Sequence, residues 1–133
     1  TGSQSVCDVP KNLPAAMRAQ KVAKRAAKFG YDFKDVSQAA EKVTEELGEL
    51  LAALREKTEA HIAEEAGDLL FSAVNVARLA GADGEMSLKE STDKFVRRFC
   101  ATEALVLADG RKMEELDAET LWKYYEEAKK QNG

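Results

Sequence analysis

Four acidic side chains, Glu46, Glu49, Glu65 and Asp68, are the residues of this chain whose types and spacing most directly suggest chemistry. Each pair is spaced i, i+3, which makes neighbours on one side of an α-helix. With Val43 as origin and about 100° of rotation per residue, the apolar residues around the first pair fall between about −40° and +80°, Glu46 near −60° and Glu49 near −120°. With Ile62 as origin of the second segment, Glu65 falls near −60° and Asp68 near −120°, and Ser72 and Asn75 continue the row. If two such helices pack antiparallel through their apolar stripes, both acidic rows come to one side of the pair. Residue 57 is the midpoint of Glu46 and Asp68 and also of Glu49 and Glu65, so the two pairs sit level as well.

Four carboxylates meeting beside an apolar interface repel one another and lose solvation unless a cation stands among them. Oxygen-only donors favour Mg2+ or Mn2+ over zinc, and Mg2+ held by carboxylates keeps waters and recruits substrate phosphates. The alternative is four solvated surface acids, the ordinary state of a helical glutamate; matched phase and matched height weigh against it. Glu41, Glu45 and Glu64 fall on the back faces and are expected in solvent or against a neighbouring subunit. A di-iron bundle would need Glu-x-x-His pairs, and the single histidine, His61, has Thr58 three residues before it, so it reads as a surface residue.

The elements that must position these acids are all helical. Pro14 to Gly30 reads as a first helix, with Gly30 as its stop. Asp35 with Gln38 caps a second, which carries Val36, Ala39, Val43, Leu47, Leu50, Leu51 and Leu54 at helical spacing and ends near Glu56. A third runs from Ala60 to Ala80 with Gly81 as terminator, and its apolar circumference is wide enough for two covering partners. Ser87 with Glu90 predicts a capping box for a fourth helix that reaches Leu107, Asp109-Gly110 breaks it, and Asp117 caps a fifth; Asn132-Gly133 is expected to fray. The short connection around 55–59 predicts antiparallel neighbours. No segment alternates with period two, so the class is all-α, a bundle of about five helices.

Composition bounds the function. The 133 residues make one domain the default, 13–131, preceded by a polar tail or linker over 1–12. A charge of -4 lacks the electrostatic footprint of a nucleic-acid binder, and the basic row Lys21, Lys24, Arg25, Lys28 reads as a solvated face. No apolar run approaches the roughly 20 residues of a membrane span, and the first residues lack a signal-peptide layout, so a cytoplasmic protein is expected. Cys7 and Cys100 are too few for a disulfide framework; both are expected reduced, with Cys100 a small core residue.

The blocks KVTEELGEL, EEAGDLLFSAVNVAR and STDKFVRRF resemble the MazG family of nucleoside triphosphate pyrophosphohydrolases over about Met17 to Lys129. The resemblance is closest to the C-terminal catalytic domain of two-domain members. The family's EExxE and ExxD signatures stand here as Glu45-Glu46-Leu47-Gly48-Glu49 and Glu65-Ala66-Gly67-Asp68. The resemblance implies an all-alpha NTP pyrophosphatase fold completed by dimerisation, as a homodimer or higher homo-oligomer. It implies Mg2+-dependent cleavage of a nucleoside triphosphate to monophosphate and pyrophosphate, a nucleotide-pool house-cleaning activity. It also implies Glu46, Glu49, Glu65 and Asp68 as metal ligands, Lys94 and Arg98 as contacts to the triphosphate, Asn75 within the matching VN motif, and Trp122 near the nucleotide.

Beside the resemblance, the residues read as machinery for metal-assisted phosphoryl chemistry, with Glu46 or Glu49 as the base that takes a proton from water. Lys94 and Arg98, at i, i+4, can reach one spot and steady a leaving pyrophosphate, or form a solvated basic face. Asn75 can orient water or a sugar, or close a hydrogen bond between helices; Trp122 can stack on a base, or join the core with Leu121 and Tyr125. Two other classes remain open: a non-catalytic nucleotide-sensing or interaction domain that keeps the metal site, and a metal-free dimerisation module.

Overall fold

A computed structural model describes residues 5–56 and 58–132. Residues 1–4 of the expected tail, Lys57 of the expected connection and Gly133 lie outside the described residues. Among the described residues there are five α-helices and no strand: α1 Ala15–Lys28, α2 Val36–Glu56, α3 Glu59–Leu79, α4 Gly84–Ala108 and α5 Ala118–Asn132, with 3-10 turns at Val6–Asp8 and Met113–Glu115. The all-α class read from the periodicity is the observed one. No helix among the described residues is long and apolar enough to cross a membrane.

The chain forms two compact units that meet within α4, between Ser87 and Leu88. In the first, α2 and α3 make the most extensive helix pair. Two 21-residue helices whose ends are three residues apart in sequence, Glu56 and Glu59, pack along their lengths only by running antiparallel. Ala39 and Ala53 on α2 are buried, as are Ala23 on α1 and Ser72 and Asn75 on α3. Small side chains at these points let the helices come close. The wider apolar stripes stay open: Leu47, Leu51, Leu54, Leu70 and Phe71 are all exposed, because no other element of the unit covers them.

The helix ends follow from local chemistry. Gly30, Gly81 and Gly110 take φ of +87°, +85° and +70°. The next residue in each case donates its N–H five residues back, Tyr31 to Ala26, Ala82 to Ala77 and Arg111 to Val106, which satisfies carbonyls the helix leaves open. Asp35 caps α2 by accepting the Gln38 N–H at 2.8 Å, and Asp117 caps α5 by accepting that of Thr120 at 2.9 Å. The expected Ser87–Glu90 capping box does not form. The fourth helix starts a turn earlier, where Asp83 accepts the Met86 N–H at 2.9 Å. That earlier turn is held by tertiary contacts: Gly84 donates to Gln20 Oε1 at 2.7 Å, and Glu85 accepts the Met17 N–H at 3.0 Å, capping α1, which has no side-chain cap of its own.

Residues 5–12, read as aperiodic tail, carry a 3-10 turn that packs beside α1, with Val9 buried and the Ser5 carbonyl accepting Arg25 Nη1 at 2.9 Å. In the second unit Val106, Thr102 and Ala128 are fully buried, Phe95 stacks on Phe99 and tilts against Tyr125, and Tyr124 donates its hydroxyl to Asp109 at 2.6 Å. Cys100 is exposed, not a core residue. It lies roughly 200° around the helix from Thr102, away from the face that is buried.

The two candidate caps of α4 separate by mutation. Asp83→Ala lowers stability by about 1 kcal/mol, whereas Ser87→Ala changes it by less than about 0.5 kcal/mol; thermal melting of the two variants reads the difference.

Candidate functional site

The antiparallel pair carries the acids where the helical wheel placed them, on one side. Carboxylate oxygens of Glu46, Glu65 and Asp68 lie within 4.8 Å of one another. Opposite oxygens around one hexacoordinate Mg2+ are separated by about 4.2 Å, so small side-chain movements bring this set to metal-binding spacing. Glu46 is buried, Glu65 half-buried and Asp68 exposed. Glu49, one turn further along α2, is exposed and is not part of that set. Its charge nevertheless reaches Glu65.

The electrostatics record the crowding. Lost solvation raises the Glu65 pKa above the ordinary glutamate value, and the charges of Asp68, Glu46, Glu49 and Glu64 raise it further. Lys42 makes an ion pair with the set: its Nζ stands 2.9 Å from Glu46 and 3.3 Å from Glu45. Hydrogen bonding to Glu46 and then Glu45 raises the Lys42 pKa, so the ammonium form is favoured. Among the described residues no ion pair is made to Glu65 or Asp68. An oxygen-only donor set with excess negative charge fits a divalent cation, and the group can bind a metal.

Beside the acids a cleft of about 940 Å³ opens between α1, the 30–33 turn, α2 and α3. That volume suits a small-molecule ligand. Glu46 and Asp68 line one stretch of it, Ser72, Asn75 and Arg78 another. Glu41 and Glu45, assigned to a back face, are exposed as expected, but both line this cleft. Ser72 Oγ donates to the Leu69 carbonyl at 2.8 Å, and Asn75 is 8% exposed. The remaining expected substrate contacts belong to the second unit. Lys94 is exposed and Arg98 half-buried on α4, and Trp122 on α5 is 61% exposed, outside the core that its spacing with Leu121 and Tyr125 also allowed.

Three residues of the cleft escape a sequence reading built on acids. Lys42 had a usable signal, since it stands i, i+4 from Glu46. Asp32 and Arg78 had none, being 46 residues apart: Arg78 forks onto the Asp32 carboxylate at 2.6 and 3.2 Å. That hydrogen bonding is the main cause of a lowered Asp32 pKa, helped by the Phe33 N–H and opposed by partial burial. A carboxylate with a depressed folded-state pKa stabilises the fold above its unfolded value of about 3.9, and the contribution is lost as pH falls through the folded-state value. Asp32→Asn therefore melts below the parent protein at pH 7, and the gap narrows as the pH is taken below about 4; paired melting curves across that range check both sign and window.

Comparison with known proteins shows the family. Residues 34–101 match the MazG nucleotide pyrophosphohydrolase domain, a stretch that includes every acid of the cluster. The chain is 40% identical over 126 residues to the nucleoside triphosphate pyrophosphohydrolase of Escherichia coli K12, covering 93% of this chain and 48% of that protein. It is 40% identical over 127 residues to the nucleoside triphosphate pyrophosphohydrolase/pyrophosphatase MazG of Thermotoga maritima, covering 96% and 49%. An uncharacterized Bacillus subtilis protein, YabN, shares 40% identity over 131 residues, 97% of this chain and 27% of its own length. The chain thus spans about half the length of the two pyrophosphohydrolases. With a match that takes in the whole α2–α3 pair and its acids, this chain belongs to the MazG nucleotide pyrophosphohydrolase domain family.

Proposed function

We propose that the chain hydrolyses nucleoside triphosphates, ribo or deoxy, to the monophosphate and pyrophosphate in a Mg2+-dependent reaction. The observation that carries the reading is the convergence of Glu46, Glu65 and Asp68 oxygens within 4.8 Å beside a nucleotide-sized cleft. The pyrophosphohydrolase names of the Escherichia coli and Thermotoga maritima relatives support it. Residues 13–131 act as one catalytic domain of a house-cleaning enzyme in the cytoplasm.

Glu46, Glu65 and Asp68 would hold the cation, and Glu49, on the next turn of α2, would be the fourth ligand. A cation held there, Mg2+ or Mn2+ in its place, would offset phosphate charge and lower the pKa of water. Glu49 or Glu46 accepts the proton of the attacking water at a carboxylate oxygen, and Lys42 holds Glu46 in place from the turn before. Lys94 and Arg98 bind the triphosphate and steady the departing pyrophosphate, Trp122 packs on the nucleotide, and Asn75 binds its sugar or base. A second copy covers the apolar residues left open on α2 and α3, Leu47, Leu51, Leu54 and Leu70, in a homodimer.

Pyrophosphate release measured over the eight common nucleotides, with and without Mg2+, tests the reaction. Activity is expected with Mg2+ alone present as metal, and Glu49→Ala should cut turnover by about a hundredfold or more. Unchanged turnover in that variant would remove Glu49 from the site, and triphosphate binding without release would make the protein a nucleotide sensor. Mg2+ is also expected to raise the melting temperature of the parent protein but not of Asp68→Asn.

A further inference from the structure

One wall of the cleft carries an ion pair that the reaction does not use. The Arg78 and Asp32 side chains are 12% and 24% exposed, although Asp32 as a residue lies at the surface. Asp32 follows Gly30, whose positive φ turns the chain out of α1, and its carboxylate also accepts the Phe33 N–H at 2.8 Å. The fork from Arg78 thus pins the 30–33 turn to α3. A third guanidinium donor, Nε–H, goes to Asn75 Oδ1 at 3.2 Å.

A guanidinium only donates, so the atom of Asn75 that faces Arg78 has to be the amide oxygen. The amide nitrogen faces the other way, with two N–H donors to place. Asn75 is more than nine-tenths buried as a residue and lines the cleft; its amide nitrogen has no protein acceptor among the described residues and is not one of the fully buried unpartnered atoms, so it stays open to the cleft. An amide nitrogen whose oxygen is already held by a guanidinium is oriented in advance for an acceptor on a ligand that enters the cleft. Asp68, Ser72 and Asn75 follow one another at i, i+4 and i+7 on one face of α3, with Asn75 about 10 Å along the axis from Asp68. Phosphates held near Asp68 would put the sugar and base of the same nucleotide at Asn75.

We propose that Asn75 donates its amide N–H groups to an acceptor oxygen on the nucleoside, and that the Asp32–Arg78 pair is the positioning device that holds the amide in that orientation. The inference rests on the nucleotide reading of the cleft. The oxygen is a sugar hydroxyl or a base carbonyl, and adenine, which has no carbonyl, separates the two. Arg78→Lys keeps a positive charge opposite Asp32 but cannot serve both the carboxylate fork and the amide.

Calorimetric titration of AMP, UMP and inorganic tripolyphosphate in the presence of Mg2+ tests this without turnover. Asn75→Ala and Arg78→Lys should each weaken UMP binding about tenfold, the double variant should be no weaker than Asn75→Ala, and tripolyphosphate affinity should not change. Loss with AMP as well places the acceptor on the sugar; loss with UMP alone places it on the base. Asp32→Asn, which preserves shape, should shift UMP affinity in the same direction and serves if Asn75→Ala fails to fold. Unchanged UMP affinity, equal loss of tripolyphosphate, additive losses in the double variant, or a lowered melting temperature with normal UMP binding would overturn the proposal. Unchanged UMP affinity in the variants beside a parent protein that releases pyrophosphate sinks this inference alone. A parent protein that binds neither UMP nor tripolyphosphate sinks the nucleotide reading, and this inference with it.

Discussion

Like charges held close by a rigid frame set the terms for the rest of this molecule. Glu46 is fixed on α2 and Glu65 and Asp68 on α3, and the two helices pack along their lengths, so the backbone positions that carry these carboxylates cannot separate without breaking the pair. In water such groups would drift apart; on helices their roots are set to within a side chain's reach. Lys42 relieves Glu46, while Glu65 registers what is left by holding its proton more tightly than an ordinary glutamate. The arrangement costs the free protein stability and gives it a place where a divalent cation is favoured.

The same helix that supplies Glu65 and Asp68 also carries the cleft away from them. Along one face of α3 the chemistry passes from carboxylate at Asp68 through hydroxyl at Ser72 and amide at Asn75, with the Arg78 guanidinium at the far end. The turn after α1, tied to Arg78 by Asp32, makes that end a wall instead of a loose loop. The packing that exposes Leu47, Leu51 and Leu54 is part of the same economy, because an α2–α3 pair built around small buried residues has apolar surface left over.

Much of this could be read from residue spacing because it is local. The helices, their glycine stops, the Asp35 and Asp117 caps and the common side of Glu46, Glu65 and Asp68 all follow from periodicity and capping within a few residues. What escaped depends on contacts between distant segments. Ser87 carries a capping pattern, yet α4 starts at Gly84 because Gln20 and Met17 hold that turn. The wheel gives Glu49 the same side as Glu46, but it cannot say how far each carboxylate reaches, and Glu49 falls outside the cluster of three. Cys100 looked like core by residue type, and the covered face of α4 turned out to be the opposite one. The Asp32–Arg78 pair joins a turn to a helix 46 residues later, a distance over which no spacing rule operates.

The central claim is that carboxylates from both helices share one divalent ion, and a crystal grown with Mn2+ tests it most directly. The anomalous difference map should show a peak within coordination distance of carboxylate oxygens of Glu46, Glu65 and Asp68. A map in which those side chains face ordered water, with manganese bound elsewhere or nowhere, would contradict it.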